Sequence, residues 1–243
     1  MPATSLLKHW EADSNVPASR NIHATDCSKN RDAYRATFLR HVHRLQQLGY
    51  ESLTPSDFKN AEEDDITGEL CKHMKLLTEE QPTERWMPRY SVHDQDPVND
   101  VVNPETGKVR RGKHRPKLDI RLVSKSHTPN VRFCIEAKRL YRSDSVKQYT
   151  DDEGLGAFVA EYYAEHDDAA GMLGYVQSGS VAEWLSKLEQ VLSLETSLEK
   201  GLHGEVWSLC RFPKGPPDTY LSLHRRNKSG RKLDVFHVLF AFC

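Results

Sequence analysis

Apolar residues recur at helical spacing between Asp32 and Leu48, where Tyr34, Phe38, Val42 and Leu45 form one stripe and Gly49 supplies a stop. A second helix is expected to open at "TPSDF", with Thr54 as N-cap, Pro55 in the first helical position and Asp57 in a box-like start. Its apolar positions are Phe58, Ile66, Leu70, Met74 and Leu77, interrupted by four acids at 62–65. After Pro82 the period shortens towards two. "RYSVHD" (89–94), "LDIRLV" (118–123) and "VRFCIEAK" (131–138) read as strands, and the turn-like "SKSHTPN" predicts that the last two form an antiparallel hairpin. Next come a helix in "GLGAFVAEYYAEH" (154–166) and a buried strand in "GMLGYV" (171–176). The clearest helix is "SVAEWLSKLEQVLSL" (180–194), with Val181, Trp184, Leu185, Leu188, Val191 and Leu192 on one face. Strands are expected in "EVWSLC" (205–210), "TYLSLHRR" (219–226) and "DVFHVLFAF" (234–242). This mixing predicts an α/β fold, a sheet flanked by helices. Residues 1–30 show no periodicity and are expected to be loosely structured, and no internal repeat is visible.

A length of 243 residues suits one large domain, or one domain with an N-terminal extension. With 37% hydrophobic and 28% charged residues, the chain can build a sizeable core under a very polar surface. No apolar run approaches the roughly 18 residues of a membrane span, and "MPATSLLKHWEADSN" lacks the apolar centre of a signal peptide. Five scattered cysteines without a CxxC are expected as reduced thiols in a cytoplasmic protein. "HVH" (41–43) lies on a predicted helix, where residues two apart do not face each other, and no second pair stands at zinc-ligand spacing. No phosphate-cradling glycine loop points to ATP.

The formal net charge of -1 hides segregation. "KVRRGKHRPK" (108–117) carries six Lys/Arg, and "RRNKSGRK" (225–232) carries five. Basic runs of this kind bind phosphate, or are simply solvated loops. Arg110, Arg111, Lys113 and Arg115 are the candidate nucleic-acid contacts, since they lie just before the strand that carries Asp119. His114 and Lys117 flank the same strand, and Tyr149, Tyr162 and Tyr163 are aromatic surfaces that a base can stack on.

The strand "VRFCIEAK" ends in Glu136 and Lys138, which share a face because strand side chains alternate. In an antiparallel hairpin that end lies beside the start of the preceding strand, where Asp119 stands. Asp119, Glu136 and Lys138 therefore converge. Two carboxylates make a hard oxygen site of the kind that takes Mg²⁺ or Mn²⁺. Lys138 is placed to position a water or to meet charge developing on a phosphate.

The pattern D-x16-E-x-K, preceded by an acidic helix, resembles the PD-(D/E)XK nuclease superfamily, whose restriction-endonuclease-like core runs α-β-β-β-α-β. The predicted elements follow that order from about residue 55 to residue 177. The proline of the family motif is absent: Leu118 precedes Asp119, and Pro116 stands three positions before it. The segment "KQYTDDEGLGAFVAEYYAEHDDAAGMLGYV", with Tyr149, Gly154, Phe158 and Tyr163, looks like a pattern in uncharacterised bacterial relatives of restriction enzymes, and "SLHRR…FHVLFAF" is similar to the end of that group. The resemblance divides the chain into an N-terminal extension with one helix (1–54) and a nuclease-like domain (55–243).

The resemblance also implies a glutamate on the first core helix. Glu62, Glu63 and Glu69 are available; Glu63 is favoured because it lies three and seven residues before Ile66 and Leu70, and Glu69 stands second. The expected activity is Mg²⁺-dependent hydrolysis of DNA phosphodiesters in bacterial anti-phage defence, by a homodimer or with a partner subunit. Asp119 and Glu136 would hold the metal, Lys138 would serve the water, and Glu63 would assist; Lys147 and Gln148 could support the site. A non-catalytic DNA-binding or interaction subunit of the same fold, and a nuclease acting on RNA, are the alternatives. An intact Asp119, Glu136 and Lys138 set favours the enzyme.

If the basic run binds phosphates, neutralising Arg110, Arg111 and Lys113 together weakens binding to duplexes of every sequence. Each phosphate-binding charge removed lowers the salt slope of binding by roughly one unit. Titrations of duplex DNA across a salt series check this; an unchanged slope would make the run a solvated surface.

Overall fold

A computed structural model describes residues 24–97, 117–126, 130–193 and 207–243, with side chains of the first helix from Asp32 onward. Five α-helices are defined among them: α1 (Ala24–Glu51), α2 (Glu63–Lys75), α3 (Ser145–Thr150), α4 (Leu155–Val159) and α5 (Val181–Leu192). The strands are β1 (Tyr90–Pro97), β2 (Lys117–Ser124), β3 (Arg132–Leu140), β4 (Ala169–Val176), β5 (Trp207–Leu209), β6 (Thr219–Arg225) and β7 (Lys232–Ala241). They form one mixed sheet of order β1-β2-β3-β4-β7-β6-β5. β1, β2 and β3 are an antiparallel meander, β3, β4 and β7 run parallel, and β5 and β6 return antiparallel. The expected α/β architecture, a sheet flanked by helices, is therefore present.

Each face of the sheet has its own core. Phe38, Val42 and Leu45 of α1 and Ile66, Leu70 and Met74 of α2 pack with Ile120, Ile135, Leu173 and Phe236. Tyr149, Leu155, Phe158, Trp184 and Leu188, from α3, α4 and α5, pack with Cys134, Met172 and Val235 on the other face. β4 is buried along its whole length, as a parallel strand covered on both sides must be. Its glycines permit the close approach: a Cβ at Gly171 would stand 2.7 Å from the Phe133 ring, and one at Gly174 would stand 2.7 Å from Leu140 Cδ1.

Three expected elements differ from the structure. α1 begins at Ala24, inside the segment expected to be loose, rather than at Asp32, and it does not stop at Gly49 but continues to Glu51. A Cβ at Gly49 would lie 2.8 Å from Met74 and 2.9 Å from Leu70, so the missing side chain lets α1 approach α2. The helix expected from "TPSDF" is broken. A short turn over Pro55–Phe58 is followed by extended backbone at Glu62, and α2 starts at Glu63. The acids at 62–65 thus open a helix rather than interrupt one, and carboxylates in a first turn are favoured by the partial positive charge there. Finally, the helix expected over 154–166 is only α4, because Glu161 and Ala164 adopt left-handed conformations at φ 64° and 50°. Arg226 secures that irregular chain, donating to the carbonyls of Phe158, Ala164 and Asp167 at 2.7, 2.7 and 2.6 Å. Arg226 is buried, so it is withdrawn from the basic run 225–232.

α1 shares the sheet's core across the expected boundary at residue 54. Tyr50 stacks on Phe240 at 4.3 Å and donates to the Ala241 carbonyl at 2.7 Å, while Arg35 pairs with Asp234 at 3.1 Å. Leu45, with no exposed surface, lies in the same cluster as Phe236 and Val238. Leu45→Ala should therefore destabilise the whole protein by about 2–5 kcal/mol in a single transition. Urea denaturation followed by circular dichroism reads this out; an unchanged midpoint would make α1 a detachable extension.

Candidate active site

The site is set by strand register. Ile120 of β2 pairs with Ile135 of β3, so the next position along places Asp119 opposite Glu136. Both carboxylates are buried, with 6% and 4% of their surfaces exposed. Asp119 Oδ2 accepts a 2.7 Å hydrogen bond from the Ala137 amide, which ties the start of β2 to the end of β3. Lys138, two residues beyond Glu136 on the same face, donates to Glu136 Oε1 at 2.8 Å.

α2 supplies the fourth group. Glu63, its first residue, accepts from Lys138 Nζ at 3.1 Å through Oε1 and from the Arg139 amide at 3.1 Å through Oε2. The favoured helix acid thus meets the lysine. Glu62 pairs with Arg139 at the exposed rim. Glu69 points elsewhere and pairs with Lys72 at 3.0 Å.

The electrostatics follow from three carboxylates around one ammonium, a formal excess of two negative charges when all are ionised. Burial pushes the Asp119 carboxyl up to about 6, against the pull of Lys138 and the Ala137 amide, with Glu63 and Asp64 adding to the rise. Burial, and then the Asp119 charge, hold Glu136 well above the usual carboxylate range. Desolvation disfavours the Lys138 ammonium, but Glu136, Glu63 and Asp119 together outweigh it and hold its pKa above the ordinary lysine value. Glu136 Oε2 is buried and has no hydrogen-bond partner among the described residues. A buried carboxylate oxygen without a donor is energetically unfavourable, and a proton or a cation relieves it.

Among the described residues, no group of three or more His, Cys, Asp or Glu side chains is arranged to hold a metal ion. The donor set still fits a hard divalent ion. Mg²⁺ is usually held by one or two carboxylates together with water and substrate oxygens, and Asp119 with the unpartnered Glu136 oxygen supplies two such donors.

The other candidates fare differently. Arg110, Arg111, Lys113, Arg115 and His114 lie outside the described residues. Tyr149 is a core residue whose hydroxyl meets His237 Nδ1 at 3.1 Å, so it offers no face to a base. Tyr163 is buried with its hydroxyl donating to the Lys117 carbonyl at 3.2 Å, beside the start of β2. Gln148 donates to Asp144, the residue just before α3, at 3.3 Å rather than to any residue of the site, and Lys147 is exposed on α3.

Sequence reasoning missed Arg139 and Gln177. Arg139 Nε donates to Gln177 Oε1 at 2.8 Å, and Gln177 Nε2 donates to the carbonyls of Phe58 and Ala61 at 2.7 and 2.9 Å. Gln177 was signalled only as a polar residue directly after the buried β4, and Arg139 only as a second base after Lys138. Comparison of the chain with protein-family models, with curated proteins and with solved structures finds no match in any of the three.

A carboxyl whose folded pKa is raised contributes stability that is complete below its unfolded pKa, near 4, and is lost as pH rises through about 6. Asp119→Asn removes the charge and keeps an oxygen for the Ala137 amide. In metal-free buffer the variant should be more stable than wild type by about 1–3 kcal/mol at pH 7.5, with the difference vanishing near pH 4. Denaturant titrations at the two pH values check both.

Proposed function

We propose that the protein is a Mg²⁺-dependent nuclease that hydrolyses phosphodiesters in DNA, built on a restriction-endonuclease-like core. The observation that carries this reading is the convergence of Glu63, Asp119, Glu136 and Lys138 at one buried strand end, with an oxygen of Glu136 left unpartnered. In support of the core assignment, α2, β1, β2, β3, α3 with α4, and β4 follow one another in the order α-β-β-β-α-β.

Asp119 and Glu136 are the residues that would hold the metal. When bound, Mg²⁺ or Mn²⁺ polarises the phosphodiester and makes water a stronger nucleophile at neutral pH. Lys138 acts as a donor. Its ammonium is held protonated by the surrounding carboxylates, so it cannot take a proton from water. It can orient the oxygen of an attacking water, or stabilise charge on the phosphate as a P–O ester bond breaks. Glu63 fixes the direction of that ammonium through its 3.1 Å contact, and the Arg139 amide holds Glu63 in turn. The basic run with Arg110, Arg111, Lys113 and Arg115 supplies phosphate contacts in this reading. The role in bacterial defence, as a homodimer or a partner subunit, rests on the resemblance of the sequence. Among the described residues, no helix is long and apolar enough to cross a membrane.

Lys138→Ala should lower cleavage of linear and circular DNA by about 100-fold or more, as removal of one transition-state donor commonly does, and Glu136→Ala, which removes a carboxylate that would hold the metal, should lower it at least as far. The wild-type protein should also gain thermal stability with Mg²⁺, since a ligand that binds only the folded state raises its stability, and Glu136→Ala should lose that gain. Cleavage with chelator present, or undiminished Mg²⁺-dependent cleavage by Glu136→Ala, would overturn the assignment.

A further inference from the structure

Gln177 lies one residue beyond β4, with 5% of its surface exposed. Its own amide donates to the Leu140 carbonyl at 3.0 Å, which binds it to the end of β3. The orientation of its side-chain amide is settled by its partners. Phe58 and Ala61 offer carbonyls, which only accept, and Arg139 Nε only donates. Both N–H groups and the oxygen of the side chain are therefore used.

These three bonds reach both supports of Glu63. Phe58 and Ala61 belong to the chain that leads into α2, and Glu63 is the first residue of that helix. Arg139 provides the amide that bonds Glu63 Oε2 and the guanidinium that pairs with Glu62. One buried amide thus clamps the start of α2 to the strand end that carries Lys138. Leu140 and Val176, the neighbours of this junction, are fully buried, so the clamp sits on a rigid base.

We infer that Gln177 is a positioning residue that places the Glu63 carboxylate against the Lys138 ammonium, and through it sets the direction in which Lys138 donates. The proposal rests on the nuclease reading for its catalytic consequence, but not for its geometry. Without Gln177, Glu63 loses its fixed distance, and Lys138 keeps only Glu136.

The test uses the full chain and two variants. Gln177→Met preserves volume and removes all three bonds, and Gln177→Ala removes bulk as well. Acetylation of Lys138 by an N-hydroxysuccinimide ester is followed by peptide mass spectrometry, with exposed Lys147 as internal reference. Both variants, and Glu63→Gln as control, should label Lys138 about three- to tenfold faster than wild type, the effect of removing one or two hydrogen bonds. Circular dichroism confirms the fold, and Gln177→Met decides if Gln177→Ala does not fold. In cleavage assays kcat should fall about tenfold while KM for DNA holds, because the loss falls on the reacting step. A folded Gln177→Met protein with Lys138 labelling at the wild-type rate overturns the proposal. A wild-type protein that cleaves no DNA instead fails the nuclease reading, and Lys138 labelling still decides the positioning role.

Discussion

Asp119 and Glu136 face each other across two hydrogen-bonded strands, both buried, with a single ammonium between them and Glu63. Bringing like charges together out of water is unfavourable, and burial raises both carboxyls above their ordinary range. The surrounding structure keeps them there. The Ala137 amide holds Asp119, Lys138 holds one oxygen of Glu136, and the apolar residues of β2 and β3 fix the register. A strand slip of one residue would turn these carboxylates to the other face, so the register of Ile120 against Ile135 is the constraint on which the site depends.

That register is in turn protected by the depth of the sheet. β3 is bordered by β2 on one side and by the fully buried β4 on the other, and the glycines of β4 let Phe133, Ile135 and Leu140 close over it. α1 adds the outer wall, packed on α2 through Gly49 and on β7 through Tyr50. The site therefore stands at the end of strands held on both sides, where a strained arrangement of charge can be maintained. An unfavourable, pre-arranged cluster of carboxylates is what a divalent ion would relieve, and this links the stability of the fold to the chemistry proposed for it.

Much of the site was legible in the chain because its parts are local. Alternation in "LDIRLV" and "VRFCIEAK" determined which residues share a face, and a hairpin needs only a turn to bring Asp119 beside Glu136. Glu63 was readable from its spacing to Ile66 and Leu70, which put it on the packed side of α2. Strand period, the long amphipathic α5 and the buried β4 were equally visible, because each follows from apolar spacing within a short window. The elements misread were those whose ends are decided elsewhere. Gly49 looks like a stop within its own segment but serves the approach of α2. The residues 154–166 have helical composition, yet Arg226, some sixty residues away in the chain, holds them in irregular turns.

By itself, then, the sequence determined the local periods, the strand faces and the convergence of Asp119, Glu136 and Lys138, because short-range spacing and alternation require no knowledge of distant neighbours. Only the tertiary structure decided the parallel pairing of β3 with β4, the union of α1 with the sheet core and the contact of Glu63 with Lys138. It alone also decided the clamp formed by Gln177 on Arg139, Phe58 and Ala61. These depend on contacts between residues distant in the chain. In the clamp the partners are polar groups with no periodic pattern, and a hydrogen bond between such groups becomes specific only when packing has excluded water and fixed the distance between them.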